Sequence, residues 1–301
     1  MAEIRTPLEV VRAELALPPA PEVLALAEAA VARMGGPSVI AGVLYYGSCL
    51  RDGVFEDRLV DLYLIAESYE AVHGRGIMAF LNTVLPPNVY YVETDHEGRR
   101  LRAKFALLSL RQLGNRVRPW VLNPYFWARF AQPMGLVATR DETVRQRIEW
   151  ALARSVETLF RMVLPLYKER PKTAEAFWLR AFTETYRTEL RVEKPDRPRQ
   201  IFAHYQARFE TLFEWGRYLE PHETRRHALW RWRLRRAQGK LLSVLRLLKA
   251  AYTFTDGADY LAYKIERHSG VKLEVTPWRR RHPVLAAWPL LVRLLLKRAV
   301  R

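Results

Sequence analysis

The sequence predicts an α+β protein, with a mixed sheet and flanking helices over residues 1–139 and an all-helical region over residues 140–275. Three observations predict it. Two short apolar runs, residues 38–46 and 59–66, bracket a Gly-Ser loop and are bounded by turn residues, which suits buried strands. Residues 88–95 and 99–108 flank a His96-Glu97-Gly98 turn and read as a β-hairpin. Beyond residue 140 apolar residues recur at helical spacing. A third segment, residues 276–301, is basic and apolar and stands apart in composition.

In chain order, residues 7–15 predict a short helix and residues 21–34 a longer one, which Gly35-Gly36 would end. The strands at 38–46 and 59–66 follow. Residues 69–85 have a helical period and stop at Pro86-Pro87. The hairpin comes next. Residues 142–164 predict an amphipathic helix stopped at Pro165, and residues 172–190 another, with Phe177, Trp178 and Phe182 as core residues. Pro195 and Pro198 mark a loop. Helices are predicted at 201–218, 223–250 and 259–268, and no internal repeat is present.

The chain has 301 residues, half of them hydrophobic, enough for a sizeable core. There are 49 basic and 32 acidic residues, a formal charge of +17. Such an excess implies an anionic partner: nucleic acid, a membrane surface or a polyphosphate. Cys49 is the only cysteine, which excludes an intrachain disulfide and a multi-thiolate zinc site and fits a reducing, cytoplasmic setting. With no histidine within twenty residues of it, Cys49 reads as a small packed residue. The first ten residues, MAEIRTPLEV, have no apolar signal core. The patterns G-x-x-x-x-G-K-[ST], G-x-G-x-x-G, G-x-S-x-G and H-E-x-x-H are absent and the seven histidines stand singly, which weighs against kinase, dehydrogenase, serine-hydrolase and zinc-enzyme readings.

The chemistry concentrates in residues 43–66, VLYYGSCLRDGVFEDRLVDLYLIA. A strand, Gly-Ser, a short loop and a strand carrying one carboxylate form the pattern of a nucleotidyltransferase-like fold. Gly47 lets the backbone approach a phosphate closely. Ser48 adds a hydroxyl, and a helix beginning there would point N–H groups at the anion. Asp61 is a hard oxygen ligand suited to Mg²⁺. Glu93 and Asp95, two apart on a strand, share a face and are candidates for a further metal carboxylate, although Asp95 also reads as a solvated hairpin edge. Lys104, between apolar neighbours, either snorkels to the surface or neutralises a bound phosphate. A plain β-turn-β with a tolerated Asp remains the bland alternative.

In the same order stand Tyr46-Gly47-Ser48, Leu59-Val60-Asp61, Asn88-Val89-Tyr90-Tyr91 and the G-R-R-L-R-A-K-F-A-L-L-S run of residues 98–109. With Trp120, the P-Y-F-W-A-R-F-A-Q-P-M run of residues 124–134 and the L-R-V-E run of residues 190–193, they resemble the mitochondrial-type phosphatidate cytidylyltransferases. These are the translocator assembly and maintenance family of CDP-diacylglycerol synthases, of which the chain looks like a distant, bacterial-type version. The resemblance covers roughly residues 40–215. It departs from the family at Cys49, where the family has a second glycine, in the shorter loop before Asp61, and at Gln132-Pro133, where the family has Lys-Pro. It implies CTP and phosphatidic acid as substrates and CDP-diacylglycerol and pyrophosphate as products. It also implies a phosphate loop at Gly47 and Ser48 beside Tyr46, a metal carboxylate at Asp61 and a catalytic lysine at Lys104.

Two alternatives stay open. One is transfer of a nucleotide to another acceptor. The other is a catalytically inactive member of the fold that binds membrane or nucleic acid, since Tyr63 stands where most such folds carry a second carboxylate. Residues 223–249 are rich in arginine with Trp230 and Trp232 interleaved, and residues 283–296 are apolar with Trp288 and a basic collar. The first suits an anionic bilayer surface, would also meet nucleic acid, and reads otherwise as a solvated basic face; the second suits a segment lying in the membrane interface and reads equally as a C-terminal helix packed on the core.

Overall fold

The computed structural model describes residues 4–56, 58–190 and 196–253. Helix α1 (Pro7–Leu15) starts at a capping box, in which the Thr6 hydroxyl accepts from the Glu9 amide and the Glu9 carboxylate accepts from the Thr6 amide. Helix α2 (Pro21–Arg33) begins on Pro21 and ends before Gly35 and Gly36, both at positive φ. Strand β1 (Ile40–Tyr46), helix α3 (Ser48–Asp52) and strand β2 (Leu59–Ala66) follow. The helix expected over 69–85 is two short ones, α4 (Tyr69–His73) and α5 (Ile77–Val84), because Gly74 and Gly76 break it, Gly74 at φ 68°.

The hairpin forms as expected from β3 (Asn88–His96) and β4 (Arg99–Ser109). Helix α6 (Leu110–Arg116), helix α7 (Trp127–Phe130) and strand β5 (Gly135–Thr139) carry no signal strong enough to be read from their sequences. Helix α8 (Glu142–Val163), capped by Asp141, runs into a 3-10 turn at Leu164–Leu166. Helix α9 (Ala174–Tyr186) is capped by Thr173. The helix expected at 201–218 is split at Tyr205 into α10 (Arg197–His204) and α11 (Gln206–Gly216), and α12 (Arg225–Thr253) follows.

The sheet has the order β3-β4-β2-β1-β5, with β2 and β4 parallel and the other neighbours antiparallel. This is the mixed sheet with flanking helices and a helical C-terminal region that the sequence predicts. One face, with Val43, Leu62, Leu64, Ala103 and Phe105, packs on Val23, Leu26, Ala27 and Ala30 of α2. The opposite face is divided along its length. One end, with Leu44, Tyr63, Ile65, Ala106 and Leu108, is apolar and joins a large core with α1, α7, α8 and the later helices. Towards the other end the same alternation places Asp61, Lys104, Arg102 and Glu93. The strands therefore supply a core at one end and a polar site at the other.

The helical side is built on aromatics. Phe160 stacks on Phe177 at 4.2 Å and meets Trp178 and Trp215 edge-on, and the Trp178 indole N–H donates to Phe209 O at 2.9 Å. Each such fully buried ring contributes about 1.5–3 kcal/mol by burial, and the paired geometry adds about 0.5–1.5 kcal/mol. Phe177, Trp178 and Phe182 are core, as read from their spacing. Trp230 and Trp232 separate: Trp230 is exposed, whereas Trp232 is buried, donates to Met162 O at 2.9 Å and meets Trp127 edge-on. Among the described residues no helix is long and apolar enough to cross a membrane. The helix expected at 259–268 and the segment 276–301 lie outside the described residues.

Candidate active site

The polar end of the sheet opens into a cleft of about 430 Å³. Its floor comes from three adjacent strands. In register, Tyr46 of β1 faces Asp61 of β2, and Asp61 faces Lys104 of β4. The Lys104 ammonium lies 2.9 Å from Asp61 Oδ1. Gly47 follows Tyr46 directly, at φ 89° and ψ −149°, a backbone region open essentially to glycine alone. A Cβ there would stand 2.8 Å from Asp61 Oδ2. Both the dihedral and the carboxylate demand glycine at this point. Ser48 opens α3 at the cleft edge, and Arg51 on α3 also lines it while pairing with Asp52 at 2.8 Å.

The rest of the cleft arrives from far along the chain. Arg129 and Gln132 come from α7 and the turn after it, and Thr185, Glu189, Arg197 and Tyr205 from the helical region. Arg129 lies over the rings of Tyr125 at 4.8 Å and Tyr46 at 5.9 Å. Its Nη1 donates to Tyr46 Oη at 3.4 Å, and its Nη2 lies 3.5 Å from Glu189 Oε1. Burial works against the charge of Arg129, and the oxygens around it, those of Tyr125, Tyr63, Tyr46 and Glu189, overcome that cost and hold the guanidinium charged. Burial, helped by Asp61, pushes the Tyr46 phenol up to about 12, so it stays a neutral donor and acceptor.

Asp61, Lys104, Ser48, Gly47 and Tyr46, expected at the site from the sequence, converge on this cleft. Glu93 and Asp95 do not. They share the face of Lys104, as their spacing suggests, but the register sets Glu93 opposite Arg102 and Asp95 opposite Arg100. Glu93 accepts from Arg102 Nε at 3.2 Å and from the Tyr91 hydroxyl, and Asp95 lies 3.6 Å from Arg100 and is largely exposed. Two strand spacings and two residues separate Glu93 from Asp61, roughly 12 Å between backbones, too far to share one metal ion. Among the described residues no three His, Cys, Asp or Glu side chains gather as a metal site. Tyr63, two residues after Asp61, is fully buried between Tyr46 and Phe130 and supplies no second carboxylate. Cys49 is buried, its thiol is pushed up by burial and next by Asp61, and it donates to Leu59 O at 3.7 Å, which makes it a packed residue.

The sequence reading did not select Arg129, Glu189, Arg197 or Tyr205. The only local signal was Arg129 set among aromatics in residues 125–130.

No known family profile matches the chain, and no curated protein matches it. Among solved structures it is similar to a nucleotidyltransferase-like protein from Exiguobacterium sibiricum 255-15. The two share 12% identity over 77% of this chain and 80% of that one, with a TM-score of 0.27.

Proposed function

We propose that the cleft binds a nucleoside triphosphate and transfers its nucleotidyl group to a phosphate-bearing acceptor, in the specific form of cytidylyl transfer from CTP to phosphatidic acid. The observation that carries this reading is the floor of the cleft. Asp61 and Lys104 stand side by side on central strands, and the missing side chain of Gly47 lets the Asp61 carboxylate sit close against the backbone at the cleft edge. The acceptor phosphate is ionised near neutral pH and attacks the α phosphorus in line. A new P–O bond forms there as the bond to the β phosphate breaks and pyrophosphate leaves. No general base is required, which suits a cleft lined by arginine, lysine and tyrosine.

In this reading Ser48 and the backbone at Gly47 hold the β and γ phosphates, and Lys104 neutralises charge on them. Asp61 offers one hard oxygen, which fits a Mg²⁺ ion that completes its shell with substrate phosphates and water. Such an ion, when bound, would offset the charge building on the transferred phosphoryl group.

A second reading has its own observation. Asp61 is already ion-paired with Lys104, and among the described residues no carboxylate stands beside it on the cleft floor; a catalytically inactive fold that binds anions would look the same. Purified protein with Mg²⁺, labelled CTP and phosphatidic acid in detergent micelles separates the two. Labelled lipid is expected from the parent, with a fall of about a hundredfold or more in Asp61→Asn. Absence of product with all four nucleoside triphosphates, from a parent that binds them, would overturn transfer to phosphatidic acid.

A further inference from the structure

The cationic groups of the cleft fall into two sets. Lys104 and Arg51 lie on the floor side and already face Asp61 and Asp52. Arg129, beside Glu189, and Arg197 also line the cleft and come from outside the sheet. We propose that Arg129 forms a second anion subsite, which takes a phosphate monoester, and that Glu189 is the internal anion occupying it in the free protein. In calling that monoester the acceptor, the proposal rests on the nucleotidyl-transfer reading; the subsite itself does not.

Four features argue for it. Arg129 is rigidly placed, since its neighbours Trp127 and Phe130 on α7 are fully buried in the core. Its two polar contacts, 3.4 Å to Tyr46 and 3.5 Å to Glu189, are well beyond the 2.7–2.9 Å or so of a strong charge-assisted hydrogen bond. A guanidinium has five N–H donors in a fork that matches phosphate oxygens, and those two contacts use few of them. Behind it, the Tyr125 ring lies between two cations, Arg129 at 4.8 Å and Arg246 at 4.1 Å, so two positive charges share one aromatic wall.

Charge balance points the same way. Among the described residues the cleft is lined by four cationic side chains, Arg51, Lys104, Arg129 and Arg197, and two carboxylates, Asp61 and Glu189, which leaves two positive charges. Asp52, just outside, is shared by Arg51 and Arg58, and Arg129 and Arg197 against the single carboxylate of Glu189 leave one positive charge on their side. With the Glu189 carboxylate displaced from the guanidinium, Arg129 and Arg197 present two positive charges, which a phosphate monoester, close to a dianion at neutral pH, matches. The same chemistry is offered by a lipid headgroup and by a soluble phosphate.

The test is equilibrium titration of the full chain with inorganic phosphate, glycerol 3-phosphate, short-chain phosphatidic acid and CTP, each separately. In Arg129→Gln, phosphate and both monoesters are expected to bind at least tenfold more weakly, with CTP affinity held within about twofold. In Glu189→Gln, which leaves Arg129 without its internal anion, phosphate is expected to bind several-fold more tightly. Circular dichroism and the melting temperature identify any variant that fails to fold. In that case Glu189→Gln and Arg129→Lys, which keeps charge but loses the fork and so weakens binding partially, decide the matter. Unchanged phosphate affinity in Arg129→Gln, or an equal loss for CTP and phosphate, overturns the subsite. Tighter binding of short-chain phosphatidic acid than of glycerol 3-phosphate identifies a lipid source, and equal binding a soluble one; both support the subsite. A parent that binds phosphate but no CTP removes the transfer reading and leaves the Arg129 result standing.

Discussion

Gly47 is the residue on which the cleft floor depends most sharply. Its dihedrals cost another residue about 1–3 kcal/mol, and any Cβ meets Asp61 Oδ2 at 2.8 Å. Gly47→Ala is therefore expected to lose about 1–3 kcal/mol in denaturant unfolding and to lose nucleotide binding with it, because Asp61 must turn away. At this scale the sequence was informative. Gly47, Ser48 and Asp61 lie within fifteen residues of one another, and the apolar runs around them require strands, so their convergence follows from local pattern. Glu93 shows the limit of that argument. Alternation correctly puts it on the face of Lys104, but which residue it faces is set by hairpin register, and register delivered it to Arg102.

At the scale of elements, tight helix packing sets the penalties. Gly216, the last residue of α11, sits against the Phe160 ring of α8, and a Cβ there would come within 2.2 Å of it. Helix propensity favours Ala by at most about 1 kcal/mol. Displacing a ring already stacked on Phe177 costs about 1–3 kcal/mol or more, so overlap wins. Gly216→Ala is expected to lower the melting temperature by about 2–6 °C, checked by thermal denaturation. Elements of eight residues or more with clear caps were legible in the sequence. Those missed were short, like α3 and α7, or, like β5, a strand whose Gly135 fits because the Tyr45 ring occupies the space of its side chain. The helical wall of the cleft was illegible for a different reason: Glu189, Arg197 and Tyr205 reach Asp61 only through tertiary packing, across more than a hundred residues of chain.

For the whole molecule, buried tyrosines set the alkaline limit. Burial pushes Tyr46, Tyr69, Tyr167 and Tyr205 from 10.0 to about 12. A phenol whose value is raised on folding lends stability that is complete below the unfolded value and is lost as pH climbs through the folded one. Stability is therefore expected to fall steeply between pH 10 and about 12, with tyrosinate absorbance appearing together with unfolding. Absorbance that develops fully while the circular dichroism is unchanged would refute this.

The divided sheet face has a consequence for biosynthesis. Its apolar end, with Trp127 beneath it, leaves the ribosome well before Trp232 of α12, which closes over Trp127. At about 5–20 residues per second, the roughly one hundred residues between them take on the order of 5–20 s to make. For that interval Trp127 of the nascent chain lacks the ring that covers it in the finished fold. Holding by chaperones at that stage, and aggregation of chains halted before α12, follow from the order in which the elements are synthesised.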